Sequence, residues 1–297
     1  MRAAAIFGIG SAPRISRRFE QAANTAWSRG IPETSRSADA VVVFGGDGTL
    51  HRHLDRLVEL QLPVLVVPCG SGNDFARSLG IKSGSDALEM WERFAAGRDV
   101  VREVDLGRIC FMQGGERASR YFCCTCGVGL DAEVALRANA LPGLLRRHGG
   151  YAWSLFPALA RFEPLAASLS SVDVTREEKV FFVAIANTPY FGDGMQVAPR
   201  AKLDDGLLDV CVVAEMSKVR LLQYFPKIYW GKHLEVHGVS YVQTESVRLE
   251  TRRLQSVYAD GEYVCETPVE VRVVRRALRV IVGTLSGYAK TPNKMIF

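Results

Sequence analysis

Apolar and polar positions divide this chain into two textures. From residue 1 to about 105, short unbroken apolar runs alternate with stretches of helical period. Residues 3–8, 41–44 and 64–67 read as strands, and 15–29, 50–60, 74–79 and 85–96 as helices. In the second of these helices Leu50, Leu54, Leu57 and Val58 form one apolar stripe. Continuous apolar strands between helices are the pattern of a parallel sheet covered on both faces.

Beyond residue 105 the pattern becomes strand-like at 105–112, 121–126, 168–175, 180–187, 208–214, 246–250, 257–259 and 269–274, with turn residues between many of them. Helical stretches interrupt it at 131–138, 151–161 and 218–229, and a last apolar run, 278–282, fits either half. The expectation is a Rossmann-like α/β nucleotide-binding domain followed by a mostly antiparallel β-sandwich domain. The boundaries expected are 1–104 together with 284–297 for the first, and 105–283 for the second. No Gly-, Ser- or Pro-rich linker separates them, so close contact is expected.

Composition narrows the class. Of 297 residues, 48% are hydrophobic and 23% charged, the balance of a folded globular chain rather than a disordered one. The net charge of +5 favours anionic partners without choosing among them. Basic residues are dispersed and no nucleic-acid module is present, so nucleic acid is not expected as a partner. No apolar run reaches the length of a membrane span. The start, MRAAAIFGIGSAP, reads as a strand entering a glycine loop rather than a signal peptide. Seven scattered cysteines indicate free thiols in a reducing, cytoplasmic setting. Cys123, Cys124 and Cys126 match no zinc spacing and read as small hydrophobes within a strand.

The chemistry concentrates at two strand ends. VVVFGGDGTL runs from an apolar strand into Gly45, Gly46, Asp47, Gly48 and Thr49, and then a helix that Thr49 is placed to cap. VPCGSGNDF repeats the arrangement with Gly70, Ser71, Gly72, Asn73 and Asp74. In parallel sheets ligands sit beyond the carboxyl ends of strands, and a glycine loop at a helix N-terminus suits phosphate. A carboxylate in such a loop makes sense when a cation such as Mg²⁺ stands between it and the phosphates. Two Asp-Gly pairs, Asp205-Gly206 and Asp260-Gly261, read as hairpin turns.

GGDGTL at 45–50, GSGNDFARSLG at 70–80, GVGLDAEV at 127–134, ANTPYFGDGMQVAPRAKLDDGLLDV at 186–210 and ADGEYV at 259–264 occur together and in order. In these motifs the chain resembles the diacylglycerol kinase catalytic-domain family, in particular its bacterial soluble lipid kinases, relatives of the sphingosine kinases. GGDGT alone is shared with NAD kinases and phosphofructokinases. The resemblance implies an active site in the interdomain cleft, where the γ-phosphoryl of MgATP passes to a lipid hydroxyl. It places Gly45, Gly46, Asp47, Gly48 and Thr49 at the nucleotide phosphates, with Gly70, Ser71, Asn73 and Asp74 lining the same site. It puts Asp47 in the Mg²⁺ network. It implies a structural Mg²⁺ site at Asp205 with the backbone carbonyls of Lys202 and Leu207. It makes Asp260 and Glu262 the candidates for the base, Glu262 as proton acceptor and Asp260 assisting.

Two departures stand out. The family continues GGDGTL with Asn-Glu, where this chain has His51-Arg52; His51 reads as an exposed helix residue or a phosphate contact. The first strand ends in FGIGSAP instead of an Asn-Pro-containing loop, which leaves Gly8, Gly10 and Ser11 as phosphate contacts. Residues 138–161, with Arg146, Arg147 and His148 among apolar neighbours, suit either a core helix with a basic turn or peripheral contact with an anionic membrane at its inner face. A homodimer is compatible with the sequence. Other readings left open are a kinase for a soluble alcohol and a non-catalytic lipid or nucleotide sensor.

Overall fold

The computed structural model describes residues 1–8, 13–22, 25–98, 101–130, 134, 157–171 and 175–283. Gly10, Ser11, all but one residue of the expected 131–138 helix, most of 138–161 and the 284–297 tail lie outside the described residues.

The first half alternates strands and helices: β1 (Arg2–Phe7), α1 (Pro13–Ala22), β2 (Ala26–Arg29), β3 (Ala40–Gly45), α2 (Asp47–Leu60), β4 (Val64–Pro68), α3 (Asp74–Ser78) and α4 (Gly84–Ala95). Its strands lie in the order β2-β1-β3-β4, all parallel. Val41, Val42 and Val43 are fully buried because helices cover both faces, which is why their stretch of sequence shows no alternation. Leu50, Leu54, Leu57 and Leu60 form the buried stripe of α2.

One expectation fails here. Residues 15–29 are not a single helix: α1 ends at Ala22, and β2 follows at the sheet edge. Trp27 of β2 packs against Trp91 of α4 with ring centroids 5.2 Å apart. A tertiary contact thus settles a stretch in which local period favoured helix.

The second half contributes β5 (Val101–Gln113), β6 (Glu116–Phe122), β7 (Thr125–Gly129), β8 (Leu165–Ser170), β9 (Thr175–Ala186), β10 (Leu208–Ala214), α5 (Lys218–Tyr224), β11 (Val239–Thr244), β12 (Ser246–Thr251), β13 (Ser256–Ala259), β14 (Glu262–Glu266) and β15 (Val269–Ile281). Neighbouring strands pair antiparallel throughout this half. The result is a sandwich-like domain around Ile109, Phe122, Val128, Val183, Val210 and Val271.

Three local departures from the sequence pattern shape this half. The expected strand 121–126 is broken at Cys123 and Cys124, between β6 and β7. The expected helix 218–229 holds α-geometry only to Tyr224 and continues as a 3₁₀ turn, Phe225–Trp230, with Pro226 near its start. The runs 269–274 and 278–282 are one long strand, β15, with a register shift between Val274 and Leu278.

That strand joins the halves. Its end pairs parallel with β4 through Val280 and Val64, while its whole length pairs antiparallel with β5. At the shift, Asp105 of β5 accepts the backbone N–H of Arg276 at 2.7 Å and of Gly206 at 2.7 Å.

Candidate functional site

The two glycine loops touch. A Cβ added to Gly70 would lie 2.6 Å from the Cα of Gly46, so neither position tolerates a side chain without displacing backbone. Asn73 holds the second loop in shape: its Oδ1 accepts the Gly70 N–H and its Nδ2 donates to the Gly70 carbonyl, both at 2.8 Å. Ser71 is exposed beside it.

The helix after the first loop starts earlier than the sequence pattern suggests. Asp47, not Leu50, opens α2, so Thr49 is inside the helix rather than at its cap, and Gly46 at the cap position supplies no side-chain bond. Thr49 instead fills the space against Gly45 and Gly8, where an added Cβ would come within 2.6 Å of its side chain in both cases. The first turn of a fourteen-residue helix therefore faces the loops with no side chain capping it, an arrangement suited to an anion.

Asp47 has a role the sequence did not announce. Its Oδ2 accepts the backbone N–H of Asp74 at 2.9 Å and its Oδ1 that of Phe75 at 3.0 Å. It caps α3 from a different loop and so fastens the two loops together. Burial pushes its pKa up, the two N–H groups pull against that, and the charge of Asp260 adds to the rise.

Asp74 carries the connection into the other half. Its carboxylate accepts the N–H of Asp193 at 3.2 Å and of Gly194 at 3.0 Å, and pairs with Arg77. Burial and the nearby Asp47 raise its pKa.

Asp260 and Glu262 occupy one hairpin with different fates. Asp260-Gly261 is a true two-residue turn between β13 and β14, with φ of 51° and 86°, the doubly positive geometry of a type I′ hairpin. The Asp260 side chain is turned inward. Its carboxylate accepts the backbone N–H of Cys124 at 2.8 Å, Cys123 at 2.9 Å and Thr125 at 3.3 Å. Those donors exist because the chain breaks between β6 and β7 at Cys123-Cys124. His51 completes the set, its Nδ1 3.0 Å from Asp260 Oδ2.

His51 is thus neither exposed nor aimed at phosphate; its side chain is 9% exposed and lies against a buried carboxylate. Burial alone would depress its pKa. The hydrogen bond and charge of Asp260, with the charges of Glu262 and Asp55, outweigh that and raise it. Cys123 and Cys124 are buried, and burial holds both thiols above their ordinary range.

Glu262, two residues on, keeps a side chain 42% exposed. Its Oε1 lies 2.7 Å from where a Cβ on Gly48 would be, so the carboxylate sits over the first turn of α2, next to Asp47. Arg52 donates to the Gly48 carbonyl at 3.1 Å and stands 3.6 Å from Glu262 Oε1. Residues from 45–52, 70–74 and 260–262 therefore meet at one corner between the halves.

The Asp205-Gly206 turn lies elsewhere, beside Asp105. It is not a hairpin: it leads into β10, whose partners are β9 and β11. The Asp205 Oδ1 accepts the Leu207 N–H at 3.1 Å, and burial raises its pKa. Asp209 lies on the same stretch. Tyr241 donates to its Oδ1 at 2.5 Å, while its Oδ2 is buried without a hydrogen bond. Burial and the charge of Asp205 push Asp209 up to about 6. An unbonded buried carboxylate oxygen near a second carboxylate is a donor set that fits a hard divalent cation. Asp209 was missed in the sequence; its place four residues after Asp205 was the available signal. A cavity of about 720 Å³ opens beside this turn, lined by Arg102, Arg275, Arg276, Arg279, Asp105 and Asp205 among others.

Two family models match this arrangement. The diacylglycerol kinase catalytic domain matches residues 15–109, and the YegS C-terminal NAD kinase beta sandwich-like domain matches 124–282. A diacylglycerol kinase of Mycobacterium tuberculosis is 33% identical over 258 residues, 83% of this chain and 78% of that protein. The chain belongs to the diacylglycerol kinase catalytic-domain family. It is accordingly a kinase. The fold agrees: a crystal structure of a diacylglycerol kinase from Bacillus anthracis superposes with a TM-score of 0.66 at 18% identity, over 95% of this chain and 97% of that one. An NAD kinase from Archaeoglobus fulgidus in complex with ATP shares the fold at a TM-score of 0.51 and 14% identity, over 95% of this chain and 93% of that one. His51 and Arg52 both turn toward the 260–262 hairpin. No helix among the described residues is long and apolar enough to cross a membrane.

Proposed function

We propose that this kinase transfers the γ-phosphoryl group of ATP to the hydroxyl of a diacylglycerol-like or sphingoid lipid. One observation carries the reading: Glu262 lies over the uncapped first turn of α2, where the two glycine loops meet. A phosphate tail held by those loops would end within reach of that carboxylate. Kinship with a diacylglycerol kinase over most of both chains supports a lipid acceptor.

In this reading the chain's main work is alignment. The backbone of Gly45 to Thr49 and of Gly70 to Gly72 cradles the phosphates. Glu262 accepts the proton of the acceptor hydroxyl, which must lie within hydrogen-bond reach. Asp260, spent on three N–H groups and His51, positions the hairpin rather than taking a proton. Mg²⁺, when bound with the nucleotide, supplies neutralisation of phosphate charge. Asp47 holds the loops that meet it. A structural Mg²⁺ at Asp205 would also draw on the unbonded oxygen of Asp209.

The test is phosphate transfer from γ-labelled ATP to a total lipid extract. Label is expected in the organic phase with the unaltered chain and lost with Glu262→Gln. Label appearing only on water-soluble acceptors would overturn the lipid reading.

A further inference from the structure

The segment after β10 presents an unusual surface. Val219, Gln223, Pro226 and Trp230 are exposed along α5 and the 3₁₀ turn that follows it. Leu221, Leu222, Phe225 and Ile228 of the same segment pack into the protein. Three of these four exposed residues are apolar, where a solvated helix would be polar: Trp230 is 68% exposed and Val219 66%. Tyr229 is exposed beside Trp230.

Charge on the same segment has one sign. Residues 218–232 carry Lys218, Arg220, Lys227 and Lys232 and no carboxylate. Arg220 and Lys227 lie over the Tyr224 ring, 5.6 and 5.0 Å from its centroid. Lys218 reaches the Ala160 carbonyl at 2.9 Å. Tryptophan and tyrosine among lysines and arginines match the boundary between water and anionic lipid, where the rings sit at headgroup depth and the cations meet phosphate.

The segment also adjoins the site. The Ile228 carbonyl accepts the N–H of Gln196 at 3.0 Å, in the loop that carries Asp193 and Gly194. Those two residues donate to Asp74, which lies just past the second glycine loop beside Asp47.

We propose that residues 218–232 form the face by which this protein docks on an anionic lipid bilayer, with Trp230 and Val219 entering the headgroup layer. What docking serves rests on the lipid-kinase reading; the docking itself does not. The sequence leaves 138–161 open between a core helix and such contact, and residues 218–232 are a separate surface.

The test is co-sedimentation of the full chain with phosphatidylcholine vesicles, with and without phosphatidylglycerol. Binding is expected on the anionic vesicles, weaker on the neutral ones, and reduced by salt. Trp230→Ala should weaken it about tenfold or more, and Lys227→Gln about fivefold, the effect of one juxtamembrane cation. Both positions are at the surface, and an unchanged melting temperature confirms folding. Equal binding to both vesicle types, or anionic binding untouched by both variants, would overturn the proposal. So would a chain that ignores vesicles but self-associates, or captures an acidic protein, through Trp230. The two readings fail separately: docking through Trp230 without phosphate transfer to lipid sinks only the kinase reading, and transfer to lipid without Trp230-dependent docking sinks only this one.

Discussion

Two of the chain's Asp-Gly turns, Asp260-Gly261 and Asp205-Gly206, have little else in common. At Asp260-Gly261 both residues take positive φ, strands leave on either side, and the aspartate carboxylate is buried under three backbone N–H groups and a histidine. At Asp205-Gly206 only one strand leaves, and the aspartate is half-buried with a single N–H from its own turn. In both of these turns the dipeptide reverses the chain. Its job is set by what the carboxylate meets: in one case the gap between β6 and β7, in the other a neighbouring carboxylate with a free oxygen. The first turn aims Glu262 and has no charge left to share. The second leaves a buried Asp209 oxygen without a hydrogen bond beside Asp205.

The largest effect expected falls on the residue the first turn positions. Glu262→Gln should lower phosphoryl transfer by about 10²–10⁴, with stability unchanged within about 0.5 kcal/mol. Full activity in a labelled-ATP assay would remove Glu262 from the role of base. Next, Asp260→Asn should cost about 1.5–3 kcal/mol of stability, since an amide meets N–H donors that need an anion. Asp205→Asn, with one such donor, should cost less than about 1 kcal/mol. Equal losses in urea unfolding would erase the contrast between the turns.

Magnesium tests the second turn. At about ten times its dissociation constant, Mg²⁺ should add about 1.4 kcal/mol to stability. The rise should vanish in Asp205→Asn and on chelation, and persist in Asp260→Asn. A rise that survives Asp205→Asn would place the ion elsewhere.

The smallest effect is on pH. The raised pKa of His51 means its proton favours the folded state. That contribution is fully present below the unfolded value of 6.5 and is lost as pH rises through the higher folded value. His51→Asn should flatten the profile where pH rises from about 6.5 through the higher folded value. A profile identical to that of the unaltered chain would mean the His51–Asp260 pair carries no net charge coupling.

Much of the architecture was legible from pattern alone. The buried valines of β3 and β4 are unbroken apolar runs, and the α2 stripe is a helical repeat; both are local signals. What was illegible depends on distance along the chain. Asp47 caps a helix 27 residues away, and Asp260 gathers N–H groups more than 130 residues upstream. Nothing within either motif states those partners. His51 was misplaced for the same reason, since its exposure is decided by a hairpin 209 residues later. Trp27 likewise owes its strand to Trp91. The motifs brought these residues to notice, and the packing separates the buried carboxylates of Asp47 and Asp260 from the half-exposed one of Glu262.

The long pairing of β5 with β15 has a consequence for turnover. Both passages of the chain between the halves are made within this single two-stranded ribbon, pinned at its irregular point by Asp105. Such a ribbon resists bending far more than a flexible tether does. Any closing of the two halves on each other has to flex this ribbon, so motion between them is coupled to its hydrogen-bonded register.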